Sequence, residues 1–357
     1  MPRAAHGERE RAFRVAVAAD PALVARVRAA QAEGRLPDLL LGDVLVGEGT
    51  RDALDPVDVE PGELEQLLDT RRLPRWVVTK TPLSGGYVRL KALMRAQALA
   101  TVCEEAACPN IGRCWSRGTA TFMICGSRCT RGCRFCDVET ARPLGPPDPD
   151  EPRRVAEAAA RMGLAFVVVT SVARDDLPDG GAAQFAATIR ALRERLPEAR
   201  VEVLIPDLRG NWDALDLILE ARPDVLNHNT ETVPRLYRRV RPGARYERTL
   251  KLLARARAAG LPAKSGLMVG LGERLPEVAA VLSDLASVGC GLVTIGQYLR
   301  PTRAHLPVVR YYAPAEYPAL AALGKSLGLA HVEAGPLVRS SFEADRVADA
   351  APAPAPA

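Results

Sequence analysis

Short runs of aliphatic and β-branched residues alternate along this chain with longer stretches whose apolar positions recur at helical spacing. The runs are TFMIC (121–125), AFVVVTS (165–171), RVEVLIPD (200–207), DVLNHNT (224–230), KSGLMVGLG (264–272) and LVTIGQYL (292–299). Between them lie Ala-, Leu- and Arg-rich stretches at 153–162, 182–195, 211–221, 246–259 and 276–288. A strand buried on both faces reads as an unbroken apolar run. A helix after each run carries the chain back to start a parallel neighbour, with a right-handed crossover. Six such units predict an α/β fold, a partial (β/α)6 TIM-like barrel over 121–335. No GxGxxG follows the first run, which argues against a dinucleotide-binding sheet. In such barrels the reactive side chains sit at the C-terminal ends of the strands.

The flanks read differently. Residues 1–72 form an N-terminal extension. In it, Asp20-Pro21 followed by Leu23, Val24 and Val27, with Gly34 beyond, predicts a capped amphipathic helix. Pro61 to Leu68 reads as a second short helix, and LLLGDVLVGEG (39–49) as a strand pair or buried turn. No chemical motif lies here, so an appended or docking role is expected. Residues 73–120 form a Gly- and Lys-punctuated segment that carries a first group of cysteines. Residues 336–347 make a C-terminal segment, and the Ala-Pro run 348–357 predicts a disordered tail with nothing to bury.

Composition narrows the class. The chain has 357 residues, 48% apolar and 25% charged, with a formal charge of +5. That balance is ordinary for a globular protein and too mild for a dedicated nucleic-acid binder. No stretch approaches the ~18 consecutive apolar residues of a membrane helix. The start, MPRAAHGERERAF, lacks the apolar core of a secretory signal, and Glu8, Glu10 and Asp20 argue against a transit peptide. A cytoplasmic protein with no membrane or nucleic-acid partner is expected.

Cysteine changes the picture. Of eight, seven lie between Cys103 and Cys136, and the eighth is Cys290. Crowding of this kind in a long chain points to metal or cluster ligation rather than to a disulfide scaffold. Cys129, Cys133 and Cys136 follow the first strand in GSRCTRGCRFCDV, which places three thiolates at the reactive end of the barrel. A cubane cluster prefers one thiolate per iron, so three cysteines leave one iron open. A zinc knuckle would show paired C-x2-C spacings and a closing ligand, which this triplet lacks. Cys103, Cys108 and Cys114 form a second triplet ahead of the barrel, where a zinc or other structural site is an alternative. Cys125 and Cys290 belong to neither triplet and read as buried core thiols.

The Cys129-x3-Cys133-x2-Cys136 signature, with Phe135 just before its last cysteine, resembles that of radical SAM enzymes. Two triplets together, with VCEEAACPN, GTATFMI, CTRGCRFCDV, TSVARDDLPDGG, NHNTETVPRLY, KSGLMVGLGE, GQYLRPTRAHLPV and GPLVRSSF, look like the lipoyl synthase family over residues 73–347. The resemblance implies a partial barrel of the radical SAM type and two 4Fe-4S clusters. Cys129, Cys133 and Cys136 would hold the cluster that binds and cleaves S-adenosylmethionine. Cys103, Cys108 and Cys114 would hold an auxiliary cluster, with Ser341 of Arg339-Ser340-Ser341 as its fourth ligand. A hard oxygen is a poor partner for iron in a soft sulfide cluster, which suits a cluster consumed as sulfur donor. The implied reaction inserts two sulfur atoms at C6 and C8 of a protein-bound octanoyl-lysine. Its C–H bonds have no useful acidity, so the cofactor carries the hard step. Phe342 stands where the family usually has Tyr.

Further candidates lie at strand ends. Asn229, with Asn227 and His228, ends the fourth run, and the resemblance implies ribose or methionine contacts for it. Gly266, Gly270 and Gly272, with Glu273, suit close backbone approach within the fold, and the resemblance implies that this position packs against adenine. Arg174 and Asp175, beside Asp176, could position the methionyl group or form a solvated loop. Lys264, Gln297 and Arg300 are comparable strand-end positions. Residues 237–260 carry eight basic residues against Glu247 and read as a solvated face or a dock for an acidic carrier.

The implied partners are octanoylated lipoyl-carrier domains (2-oxoacid dehydrogenase E2 subunits and the glycine cleavage H protein), a ferredoxin or flavodoxin-type reductant, and a carrier that rebuilds the consumed cluster. Biotin synthase is the nearest alternative, but that family places its donor cluster on cysteines inside the barrel, and only Cys290 follows Cys136 here. A non-catalytic two-cluster electron carrier would not need so large a scaffold.

Overall fold

The computed structural model describes residues 74–77, 91–95, 97, 99–101, 104, 108, 110–111, 121–141 and 145–351. Within them the strands form one eight-stranded sheet whose spatial order follows the sequence, β1 to β8. β1 (Ala100–Thr101) runs antiparallel to β2 (Thr121–Ile124). From β2 onward every pairing is parallel, through β3 (Phe166–Ser171), β4 (Arg200–Leu204), β5 (Val225–Asn227), β6 (Ala263–Val269), β7 (Leu292–Gln297) and β8 (His331–Gly335). The intervening helices are α1 (Glu151–Arg161), α2 (Ala182–Arg195), α3 (Trp212–Glu220), the short α4 (Tyr237–Val240), α5 (Tyr246–Ala258), α6 (Leu275–Ser287) and α7 (Glu316–Ser326), and α8 (Ala344–Asp349) closes the series.

Six strands and the five helices between them stand where the periodicity puts them. The sequence reading missed α7, the helix of the sixth unit, and β8. β8 reads HVEAG, short and polar, with only Val332 fully buried, so no apolar run marks it. The strands also stop earlier than the runs. β5 ends at Asn227 and β6 at Val269, because the next residues leave the ladder to build the barrel mouth. Glu231 then returns to β6 through an isolated bridge to Leu267, its N–H donating to the Gly266 carbonyl at 2.9 Å.

The two faces of the sheet differ in chemistry. Val167, Val169, Val201, Val203, Leu226, Val293 and Ile295 pack outward against Val155, Ile189, Leu215, Leu253, Leu282 and Leu320 of the helices. The alternate positions point into the barrel, where Glu202, Asn227, Lys264 and Thr294 are all buried. Lys264 Nζ donates to both Glu202 oxygens at 3.0 and 2.9 Å, and Asn227 Nδ2 adds a third bond at 2.9 Å. Low in the barrel Phe166, Val168, Val225 and Leu292 form a separate apolar cluster, closed by Ala344, Val347 and Ala348 of α8.

That cluster corrects the tail. Ala348 and Asp349 belong to α8, and Ala348 packs against the barrel floor, so ordered structure extends past the expected start at 348. Residues 352–357 lie outside the described residues, as do the helices and strand pair expected within 1–72. No helix among the described residues is long and apolar enough to cross a membrane.

Candidate functional site

The loop after β2 carries the three-cysteine motif. Cys125 and Gly126 both take positive φ, +66° and +88°, which turns the chain sharply out of the sheet. Gly126 adopts this freely, and the Cys125 backbone is held by its N–H donating to Glu151 Oε2 at 2.8 Å. The loop is then closed on itself. Cys129 N–H donates to the Glu139 carbonyl at 2.8 Å, Ala141 N–H to the Cys129 carbonyl at 3.1 Å, and Cys136 N–H to the Cys133 carbonyl at 3.0 Å.

Neighbouring strand ends hold the loop in place. Thr130 donates from N and from Oγ1 to the Ala173 carbonyl, at 3.0 and 2.9 Å. Arg134 N–H reaches the Val240 carbonyl and its own carbonyl accepts from Leu306 N–H, at 2.9 and 3.1 Å. The main staple is Arg131. Its guanidinium binds Asp175 with two bonds of 2.8 and 2.7 Å and Asp207 at 2.6 Å, and Arg248 takes the other Asp207 oxygen at 2.8 Å. Burial works against the Asp207 charge, but Arg131 and Arg248 hold its carboxyl at about 2.

The three thiols are free and half-buried. Cys129 Sγ accepts N–H bonds from Arg131 and Ala173, at 3.4 and 3.3 Å. Burial pushes the Cys133 thiol up and Cys136 up to about 12, and the neighbouring thiolates add to both shifts. Metal binding would have to displace these protons, since thiols ligate as thiolates. Three thiols carried on one loop are a donor set that suits a cluster taking one thiolate on each iron. Phe135 packs half-buried against the main core between Arg134 and Cys136.

Opposite the loop, the end of β5 supplies polar groups. Asn229 Nδ2 donates to Glu231 Oε1 at 3.0 Å and to Ser340 Oγ at 2.9 Å. Its Oδ1 is buried with no protein donor, beside Gly266, where a Cβ would lie 2.7 Å from it. A buried acceptor next to a missing side chain suits a polar cofactor. Glu231 was not singled out from sequence. Its half-buried carboxyl is raised by desolvation, which Arg241, Asn229 and Arg339 oppose, and it lies near Cys133 and Cys136. Its backbone sits at φ +65°, a conformation that a non-glycine residue adopts only where the surroundings enforce it. Nothing in the residue string announces that φ.

Other candidates are committed within the fold. Arg174 is buried and donates to both oxygens of Asp176 and to the carbonyls of Cys125 and Gly145. Asp175 serves the Arg131 staple. His228 is fully buried between the Ile205 carbonyl and Thr249 Oγ1, at 2.7 and 3.1 Å. Gly270 and Gly272 have φ of +105° and +101°, and Glu273 accepts from the N–H groups of Gly270 and Leu271. A Cβ on Gly270 would meet Gln297 Nε2 and the Arg310 carbonyl, so backbone geometry and packing both require glycine there. Lys264 and Gln297 are likewise engaged inside, and Arg300 bonds the carbonyls of His305 and Arg303. Of the basic run only Arg241 is buried, bound to the carbonyls of Asn229 and Thr230; the others are half-buried or exposed, with Arg248 pairing with Asp207, Arg255 with Asp216, and Lys251 lying over Trp212.

Of the second triplet, Cys103 and Cys114 lie outside the described residues. Cys108 is half-buried, and its thiol is raised by burial while the Asn110 N–H and the Arg339 charge pull it down. Asn110 Nδ2 donates to the Leu337 carbonyl at 2.5 Å. Ser341 Oγ accepts from Thr121 Oγ1 at 2.9 Å. The Arg-Ser-Ser segment is thus folded into the barrel beside the Cys108 region. Cys125 and Cys290 are buried and both thiols are pushed up to about 12, chiefly by desolvation.

Comparison with known proteins adds to this geometry. The radical SAM superfamily model matches residues 123–285. The model of the N-terminal domain of lipoyl synthase matches residues 26–108, so it takes in much of the segment read as an extension of unknown role. The lipoyl synthase of Methylococcus capsulatus is 55% identical over 296 residues, 82% of this chain and 90% of that protein. The lipoyl synthase of Nitratidesulfovibrio vulgaris is 56% identical over 274 residues, 77% of this chain and 92% of that protein. That of Chloroflexus aggregans is 54% identical over 275 residues, 76% and 90% respectively.

Proposed function

The chain belongs to the lipoyl synthase family of radical SAM enzymes, and from that premise we propose how its residues divide the work. Cys129, Cys133 and Cys136 hold the cluster that takes S-adenosylmethionine. Cys103, Cys108, Cys114 and Ser341 hold the auxiliary cluster. When bound, these groups supply a carbon-centred radical and the sulfur atoms for C6 and C8 of a protein-bound octanoyl-lysine. The single observation that carries the division is the pair of contacts made by Asn229, to Glu231 on one side and Ser340 on the other.

The protein's own part is positioning. Arg131 fixes the cysteine loop against the ends of β3 and β4. Asn229 and Glu231 offer an acceptor and a carboxylate to the hydroxyl or ammonium groups of S-adenosylmethionine. Phe135 covers the loop from the core side. The buried, polar inner face keeps solvent from a radical that any hydrogen donor would quench. Octanoylated E2 domains and the glycine cleavage H protein are the substrates this reading implies, with a ferredoxin or flavodoxin-type electron donor and a cluster-rebuilding carrier in a cytoplasmic setting.

The test is an anaerobic assay with an octanoyl-lysine peptide, read by mass spectrometry. The expected product carries two sulfur atoms, with two deoxyadenosine molecules formed per product molecule, on protein holding about eight irons. Deoxyadenosine without any sulfur in the peptide would overturn the reading.

A further inference from the structure

The strand β7 contains a glycine that backbone conformation does not explain. Gly296 is in regular extended geometry, without a positive φ, in a strand whose six residues are all buried. Alanine would satisfy its dihedrals. What it would not satisfy is space, because a Cβ there would lie 2.1 Å from the Val338 carbonyl oxygen and 3.1 Å from the Val338 carbonyl carbon. These are backbone atoms and cannot rotate away. β7 cannot yield either, since it is paired along its length with β6 on one side and β8 on the other. The Val338 carbonyl would have to withdraw by about 0.9 Å to reach even the 3.0 Å that real contacts respect.

The same short segment is gripped from other elements. Leu337 gives its carbonyl to Asn110 Nδ2 at 2.5 Å, and the backbone N–H of Asn110 is directed at the Cys108 thiol. Val338 N–H donates to the Gly335 carbonyl at 3.1 Å, and Phe342 N–H to the Arg339 carbonyl at 2.9 Å, so only a tight turn separates the seat from the two serines. Ser340 is bonded by Asn229 and Ser341 by Thr121.

We propose that Gly296 and Asn110 form a seat for residues 337–341, and that this seat sets the position of the Ser341 oxygen relative to the Cys108 region. Both act as positioning residues. The inference rests on the reading of Ser341 as a cluster ligand for its consequence, but the seat itself rests on the Gly296 steric contact and the Asn110 hydrogen bond. Metal ligands tolerate about 0.2 Å of misplacement. A 0.9 Å shift three residues upstream exceeds that, and the tight turn transmits it. Gly296 thereby lets the chain carry one ligand on a segment inserted from the far end of the sequence.

The test uses full-length, anaerobically reconstituted protein. Gly296→Ala should raise the rate at which the auxiliary cluster loses one iron to a chelator by about tenfold, and lower sulfur insertion by a similar factor. It should alter the Mössbauer signature of that cluster and leave S-adenosylmethionine cleavage within about twofold. In parallel, brief trypsin treatment with mass spectrometry should show faster cutting after Arg339, which wild-type packing shields. Unchanged iron release with unchanged cutting at Arg339 overturns the proposal. Ser341→Ala is run beside it. If that variant keeps a wild-type Mössbauer signature, the ligand reading fails while the trypsin result still decides the seat. If Gly296→Ala loses the barrel altogether, Asn110→Ala relaxes the same seat without a clash. It must then raise cutting at Arg339 several-fold, and no change there overturns the proposal.

Discussion

The two cysteine regions are built in opposite ways. The Cys129–Cys136 loop closes on itself within a few residues and is then pinned by Arg131 to Asp175 and Asp207. The Cys108 region takes its partners from the far end of the chain, through Asn110 to Leu337 and through the turn that presents Ser341. A self-closing loop can keep its ligands placed while neighbours vary. A composite site depends on every contact that seats the inserted segment. The first arrangement suits a group that must be retained through each turnover. The second suits one that is dismantled and rebuilt, because releasing one segment opens it.

The sharpest test of this comparison removes one cysteine from each region. Cys133→Ala should lower deoxyadenosine formation by about a thousandfold or more, because losing a ligand of the site that does the hard step leaves nothing to substitute. Cys108→Ala should stop sulfur insertion while deoxyadenosine formation survives. Loss of both activities in both variants would show that the regions are not separate.

The next test attacks the staple. Arg131→Ala leaves Asp207 fully buried with Arg248 as its remaining ion-pair partner, beside the Arg209 N–H. Breaking a buried pair by removing one member destabilises by about 3–5 kcal/mol. Urea unfolding should show that loss, and iron loading should fall by about half, confined to the radical site. An equal loss of iron from both regions would mean that Arg131 supports the whole mouth and not one loop.

How much of this was legible follows from the same contrast. The Cys129–Cys136 loop was readable because its three thiols lie within eight residues of one another and follow a strand. The first six parallel strands were readable because they are apolar on the outer face and flanked by helices. β8 was not, since HVEAG lacks any apolar run. Arg174 and Asp175 drew notice as charged residues at a strand end, yet their partners, Asp176 and Arg131, commit them to the scaffold. Glu231 went unremarked because its distinction is a left-handed backbone and burial, neither of which a residue string displays. Ser341 came only through resemblance, for no spacing rule links a serine to cysteines so far upstream.

His228 probes the base shared by the two regions. It directly precedes Asn229, and burial, aided by Arg241, lowers its pKa from 6.5 to about 4, so the folded protein holds it neutral. The folded value lies below the unfolded one. Its contribution is therefore complete above pH 6.5, drains away as pH falls toward 4, and amounts to about 3 kcal/mol in all. Asp207 contributes in a separate window, between 3.8 and about 2. Urea midpoints at pH 7.5 and 5 should diverge in the wild type and diverge less in His228→Gln. An identical pH response in both would show that the imidazole is not carrying this window.

The smallest effect, and the finest division of the two regions, should come from Glu231→Gln. The substitution keeps the shape and the acceptor oxygen that Asn229 Nδ2 uses, so the other bond of that amide, to Ser340 Oγ, stays in place. What disappears is the carboxylate charge facing the mouth. A hydrogen bond to a charged group is worth about 1.5–3 kcal/mol, so the KM for S-adenosylmethionine should rise by about ten- to a hundredfold. Iron release from the auxiliary cluster and trypsin cutting after Arg339 should not move, because nothing that seats residues 337–341 has changed. A rise in either, with KM unaltered, would reverse the assignment. Glu231 would then act through Asn229 on the inserted segment, and the two regions would share a residue that the comparison places on one side alone.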